Sequence, residues 1–315
     1  MDPFLAFASV LLGLAFGSFL NVCIYRLPRD MSVLNPRWSA CPHCKRPIAF
    51  YDNVPVLSWL LLRGRCRKCQ AAITPRYLVI ELLTAALFLA CAWHFGMTLA
   101  TVKYCALSFL LLGLIFTDAE TKLLPDKMTL TGLGLGIVFS LFVPVNDLAS
   151  QFLPGVVSLP VDGDLSARML SLLDSVLGAA VGASFIYGAG AIYLRARGIE
   201  GMGFGDVKLM AMIGALLGVK LTLLVLLLGS LIGSFFGVFL ILWVWQKRLR
   251  RRRRSHGSEA MAVSRSRAWS SAILIYRNFE IPFGVFLGAA ALISAFWGVT
   301  LVRWYMNISG LNSIR

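Results

Sequence analysis

The sequence carries little charge. Only 14% of its 315 residues are Asp, Glu, Lys or Arg, against about 25% in an ordinary soluble domain. Acids are the scarcest, with 15 Asp and Glu facing 30 Lys and Arg. A chain this poor in polar side chains cannot cover itself with a water-facing shell. Its seven cysteines are too few for a disulfide-dense secreted scaffold. At 58% apolar residues it is neither disordered nor collagen-like.

Long apolar runs take the place of polar surface, and mean hydropathy reaches +0.77. Seven runs approach the ~20 residues that a helix needs to cross a bilayer. They are Pro3–Tyr25, Leu82–Val102, Thr98–Thr117, Met128–Asn146, Ser175–Leu194, Leu221–Gln246 and Ile281–Val302. The second and third overlap, so a turn near Gly96 must divide them, with Lys103 snorkelling at an outer edge. An eighth run, Leu209–Val219, is short: at 1.5 Å per residue it covers about 17 Å of a core about 30 Å thick. Short or interrupted membrane helices often mark functional sites. The expected fold class is an all-α polytopic membrane protein with about eight transmembrane helices.

The net charge of +15 is unevenly placed. Ten basic residues lie from Arg26 to Arg76 and ten more from Lys247 to Arg277. Both clusters separate apolar runs, where the positive-inside rule expects cytoplasmic loops. Topology accounts for the bias, so the lipid bilayer is the expected partner and nucleic acid is not. Threading these loops puts the N-terminus outside. The first run is expected to be a retained helix rather than a cleaved signal, since Arg26 and Arg29 follow it and no basic segment precedes it. The expected organisation is a first helix at 1–25, a cytoplasmic loop domain at 26–76 and a membrane domain at 77–315. A basic cytoplasmic loop at 247–280 interrupts the last of these.

Four of the cysteines form Cys41-Pro-His-Cys44 and Cys66-Arg-Lys-Cys69, with 21 residues between the pairs. This is the spacing of a tetrahedral zinc site, each pair supplying two thiolates from one tight turn. Two disulfides would use the same residues, but cytoplasmic loops are reducing. A loop of this size also has too few apolar groups for its own core, so a metal staple is expected. Four cysteines close the coordination sphere, which makes the zinc structural.

Ionisable groups at membrane depth are costly and usually functional. Glu81, Asp118, Asp174 and Asp206 adjoin apolar runs. Asp174 is expected at an outer boundary, in reach of water. Asp118 and Asp206 fall at similar depth on the cytoplasmic side although 88 positions apart. A pair of carboxylates there can do aspartic-protease chemistry: one, ionised, takes a proton from the attacking water, and the other, protonated, polarises the peptide carbonyl. A helix starting near Asp206 would favour its ionised form, which makes Asp206 the expected base and Asp118 the acid. Gly203 and Gly205 allow close approach of another backbone, and Lys208 is a possible ion-pair partner. Boundary charges or a proton pathway are the competing readings of the same carboxylates.

Several motifs are recognisable together. They include Gly17-Ser-Phe-Leu-Asn21-Val-Cys-Ile-Tyr-Arg26-Leu-Pro28, the two cysteine pairs, Asp52-Asn53-Val-Pro55 and Pro75-Arg76-Tyr77-Leu-Val-Ile-Glu81. Further along are Leu124-Pro125-Asp126, Gly201-Met-Gly-Phe-Gly-Asp206-Val-Lys208 and Ile281-Pro-Phe-Gly284. Nearly end to end, the chain resembles the bacterial type IV prepilin leader peptidases. That resemblance implies a bifunctional enzyme of the bacterial inner membrane with its active site facing the cytoplasm. Such an enzyme cleaves the leader of prepilins or pseudopilins and N-methylates the new N-terminus with S-adenosylmethionine. The family's catalytic aspartates fall on Asp118 and on Asp206 of its GxGD motif. Methyl transfer would involve Asn53, Gly64 and Glu81 as cofactor-binding residues, beside the cysteine loop. Two features depart from the family pattern: the loops at 146–168 and 247–277 are long, and Asp52 stands where some members carry Glu. The alternative function is a proton-coupled transporter using Asp118 and Asp206, which would have no need of a zinc module.

Overall fold

The computed structural model describes residues 2–36, 38–143, 163–198, 203–255 and 282–308. Most of the expected outer loop, much of the basic loop, and Gly201, Met202 and Ile281 lie outside these residues. Eight α-helices are described: α1 Pro3–Arg26, the short α2 Leu57–Leu61, α3 Arg76–Phe95, α4 Leu99–Thr121, α5 Asp126–Phe142, α6 Gly163–Arg197, α7 Phe204–Ser255 and α8 Phe283–Ile308. No β-sheet occurs among the described residues, only two isolated antiparallel bridges in the cysteine loop.

Among the described residues six helices are long and apolar enough to cross a membrane, where about eight were expected. The difference is one of segmentation. α5 has only 17 residues, and the short run at 209–219 is not a separate helix. It continues into the next run as α7, broken at Gly218, where φ 78 and ψ 174 interrupt the helix. Glycine carries no Cβ and takes this left-handed backbone without penalty. The turn at Gly96 is where the overlap of two runs required it. α3 starts at Arg76, six residues before its apolar run, because Arg76 and Glu81 hide its first turns from a hydropathy reading. At the other extreme α7 continues past Lys247 to Ser255. The basic segment thus begins as helix, arginine and lysine being good helix formers.

Small residues set the helix spacing. A Cβ added at Gly13 or Gly17 of α1 would meet the backbone of Ala85 or Glu81 of α3, so these helices run antiparallel at close range. α4 is central and packs on α1, α3, α5 and α8, while α7 packs on α5, α6 and α8. The core is filled by Leu20, Ile24, Ile80, Leu107, Leu111, Leu209, Met210, Met212 and Ile213. Phe4, Phe7, Trp93, Phe235 and Phe239 remain exposed on the outside of the bundle. Exposed aromatic and apolar side chains suit a surface whose solvent is lipid.

Two expectations about charged side chains are overturned. Asp174 on α6 is 3% exposed and Lys103 on α4 is 1% exposed. Asp174 does not reach water: its Oδ1 accepts from Val219 N at 3.4 Å, immediately after the break in α7. A broken helix leaves backbone N–H groups without partners, and the carboxylate caps one of them. Lys103 does not snorkel: its side chain is buried inside the bundle, where the charge of Asp174 also acts on it.

Candidate active site

Asp118 lies in the last turn of α4 and Asp206 in the first turn of α7, and they are 5% and 9% exposed. The fold brings them together, close enough for the charge of one carboxylate to act on the other. Leu124, in the link between α4 and α5, joins their surroundings. A Cβ on Gly205 would sit 3.0 Å from the Leu124 Cβ, and one on Gly284 would sit 3.3 Å from its Cδ1. The starts of α7 and α8 therefore close on the same linker. Beside them Lys208 Nζ donates to Asp126 Oδ1 at 2.6 Å, pinning α7 to α5. Lys208 thus supports the framework from its edge. A Cβ on Gly203 would be 3.9 Å from Asp206 Oδ2, an ordinary contact, so steric need does not explain that glycine.

α8 contributes a donor whose role was not apparent in the sequence. Val285 N donates to Asp118 Oδ2 at 3.0 Å, from the first turn of α8. Asp118 therefore also faces the positive end of a helix. Asp118 feels this positive end as well as the negative end of its own α4, so the dipole of α7 alone does not assign the base and the acid. Gly284 makes the approach possible: a Cβ there would lie 2.9 Å from Asp118 Oδ2. Gly284→Ala should push the carboxylate off Val285 N. We expect about a 10-fold or greater loss of the reaction that Asp118 serves, with the helical fold intact by circular dichroism. Unchanged activity would show that Asp118 does not depend on α8.

The cysteine loop forms a second centre. Its two turns share one pattern: Cys41 N donates to Arg46 O and Cys66 N to Ala71 O, at 3.0 and 2.9 Å. The residues after each pair, Lys45 and Gln70, have φ of 56 and 57. The turns converge, so that all four Sγ atoms lie within 4.8 Å of one another, and those of Cys41 and Cys69 are 3.8 Å apart. A tetrahedral zinc with Zn–S bonds of about 2.3 Å sets its sulfurs about 3.8 Å apart, so the donor set fits that ion. Hydrogen bonds from the backbone of Cys69 and Lys68 pull the Cys66 thiol down to about 6, the thiolate form a metal needs. The Cys69 thiol goes the other way, up to about 11: the lowering contact at the Ala71 backbone is outweighed by desolvation and by the sulfurs of Cys66, Cys44 and Cys41.

Arginines tie this centre to the rest of the loop and the membrane helices. Arg67, inside the second turn, donates from Nη2 to Asp52 Oδ1 at 2.7 Å and from Nε to Oδ2 at 2.8 Å. That fork holds the Asp52 carboxyl below its ordinary range. Arg26, 8% exposed at the end of α1, donates to the carbonyls of Ser32, Val33, Pro36 and Trp38. Arg76 at the start of α3 pairs with Glu120 near the end of α4. Of the residues assigned to methyl transfer, Asn53 is exposed at the end of a 3-10 turn. Gly64 has φ 65, and a Cβ there would lie 2.8 Å from the Trp59 ring. Glu81 is buried on α3, where its Oε2 accepts from Val56 N at 2.7 Å. The loop is thereby seated on the helix bundle.

A groove of about 340 Å³ between α3 and α8, lined by Leu87, Trp93, Leu292 and Trp297 among others, contains no carboxylate. It is apart from both centres.

Fold and sites together define a polytopic membrane protein with paired buried carboxylates and a four-cysteine cluster that can hold a metal ion. Residues 11–95 match the model of the bacterial peptidase A24 N-terminal domain, and residues 105–238 match that of the type IV leader peptidase family. A prepilin leader peptidase/N-methyltransferase of Aeromonas hydrophila is 36% identical over 97% of this chain and 95% of its own. One from Pseudomonas aeruginosa is 32% identical over 96% of this chain and 93% of its own. One from Neisseria gonorrhoeae is 36% identical over 69% of this chain and 76% of its own. No solved structure matches the chain. The chain belongs to the bacterial prepilin leader peptidase/N-methyltransferase family.

Proposed function

We propose that this enzyme cleaves the leader from prepilins or pseudopilins at the cytoplasmic face of the inner membrane and then N-methylates the new terminus. The observation that carries the proteolytic half is the convergence of Asp118 and Asp206 at the starts of α7 and α8. With one carboxylate ionised and the other protonated, the pair activates water, polarises the scissile carbonyl and returns a proton to the leaving amine. The carboxylates do this as one unit, because two adjacent charges do not ionise independently. The transporter reading has no use for the metal centre, and the family relationship stands against it.

Residues 26–76 form the methylation-associated domain, between a first helix at 1–25 and the peptidase domain at 77–315. Zinc fits the four thiolates and holds the loop in shape. S-adenosylmethionine supplies the methyl group when bound, and Asn53, Gly64 and Glu81 are the residues nearest to that role. Mass spectrometry of a prepilin co-expressed with the enzyme tests both halves at once. The expected product has lost its leader and gained 14 Da, the mass of one CH2 added when methyl replaces hydrogen. An uncleaved prepilin would reject the reading.

A further inference from the structure

Asn21 of α1 is 3% exposed, and its Nδ2 donates to Gly17 O at 3.3 Å and Tyr77 O at 3.1 Å. Both partners are carbonyls, which only accept, so the amide cannot be turned over. Its Oδ1 is left buried with no hydrogen-bond partner. A buried acceptor of this kind destabilises the fold unless something arrives to satisfy it.

The nearest polar neighbourhood is also short of donors. Gly17, one turn before Asn21, packs against the backbone of Glu81, one turn after Tyr77. Glu81 is 8% exposed, with Ser18 beside its carboxyl and Val56 N as its backbone donor. Among the described residues no basic side chain pairs with it. Val56 itself has φ 61, a strained backbone for a β-branched residue and of a kind that clusters at functional sites. A buried carboxylate and an orphan carbonyl oxygen one helical turn apart along the α1–α3 crossing favour a compact cation with several N–H groups. A primary ammonium is that cation.

Depth connects this pocket to the carboxylate pair. Arg76 and Glu120 are paired, which sets the start of α3 level with the end of α4. Glu81 is then about 7.5 Å and Asp118 about 3 Å along their helices from that pair. Peptide cleavage at Asp118 and Asp206 releases a new α-ammonium at nearly this depth. We propose that Glu81 and Asn21 hold the newly formed α-amino group of the cleaved substrate, and that Glu81 accepts the proton it must lose before methylation. This rests on the methyltransferase reading. The ammonium gives a proton to the Glu81 carboxylate, and the freed nitrogen lone pair attacks the methyl carbon of the sulfonium donor. The N–C bond forms as the S–C bond breaks, its electron pair passing to sulfur to leave a neutral thioether. The methylated ammonium departs, and Glu81 returns its proton to water.

The test uses full-length purified enzyme and a cleaved pilin peptide beginning with a free-amine phenylalanine. Glu81→Gln can still accept from Val56 N, so it preserves the structural contact that seats the loop. Methylation by Glu81→Gln should fall about 100-fold. Leader cleavage should stay within about twofold, and Glu81→Asp should recover part of the methylation. Without methyl donor, the wild type should bind the free-amine peptide more tightly than its N-acetylated form, and Glu81→Gln should lose that preference. Methylation by Glu81→Gln within about threefold of wild type, or equal wild-type binding of both peptides, would overturn the site. A wild type that binds the free amine selectively yet never methylates it would reject the methyltransferase reading while upholding the amine pocket.

Discussion

Replacing Cys41 or Cys66 by Ser should empty the metal centre and abolish methylation while leaving measurable leader cleavage. Zinc content should fall from about one ion per chain to near zero. Structural zinc binding is worth about 10–16 kcal/mol in small domains and is there the folding free energy itself. Among its described residues the loop at 26–76 has little else: two 3-10 turns, the five-residue α2 and two bridges. Losing the metal frees the turn that carries Arg67, and with it the fork on Asp52 beside Asn53. Damage should reach as far as Val56 above Glu81 but not the Asp118–Asp206 pair, whose nearest supports are Leu124, Gly284 and Val285. Elemental analysis, limited proteolysis and product mass spectrometry check this together. A metal-free enzyme that methylates normally would contradict it.

Asp118→Asn and Asp206→Asn should each lower leader cleavage by about 10³-fold or more. Asparagine keeps the shape of the side chain and loses its proton chemistry. Asp118→Asn can still accept from Val285 N through its amide oxygen, so the contact with α8 need not collapse. Both variants should retain zinc, helical content and methylation of a pre-cleaved peptide, because Glu81 and the cysteine loop lie on other elements.

Much of this was legible in the sequence wherever one local constraint dominated. Apolar runs gave α1 and α4 to within a few residues, and the overlap of two runs demanded the turn at Gly96. Cysteine spacing announced the cluster of four thiols, because cysteine pairs on tight turns have few other uses. The depth of Asp118 and Asp206 followed from their places at the ends of runs.

Charges that settle inside the bundle were not legible. Lys103, Asp174 and Arg26 look alike in a hydropathy reading, as boundary residues seeking water. Their partners are a carboxylate, a broken helix and a set of loop carbonyls, which tertiary packing alone supplies. Lys208 and Lys220 marked the limits of a short run, yet the break itself lies at Gly218, where one helix continues after an interruption. Gly284 stood in a recognisable motif, but its role needed the fold: α8 must come within reach of Asp118 before a missing Cβ has meaning. The orphan oxygen of Asn21 likewise depends on which carbonyls its own amide group has already found.

The central claim is that Asp118 and Asp206 act as one catalytic pair. Its most direct test is leader release by the double variant Asp118→Asn/Asp206→Asn, measured beside the two single variants at matched protein levels. Groups that act as a unit are not additive, so the double variant should be little worse than either single one. Near-normal cleavage by a single variant, or losses that multiply in the double variant, would contradict the pair.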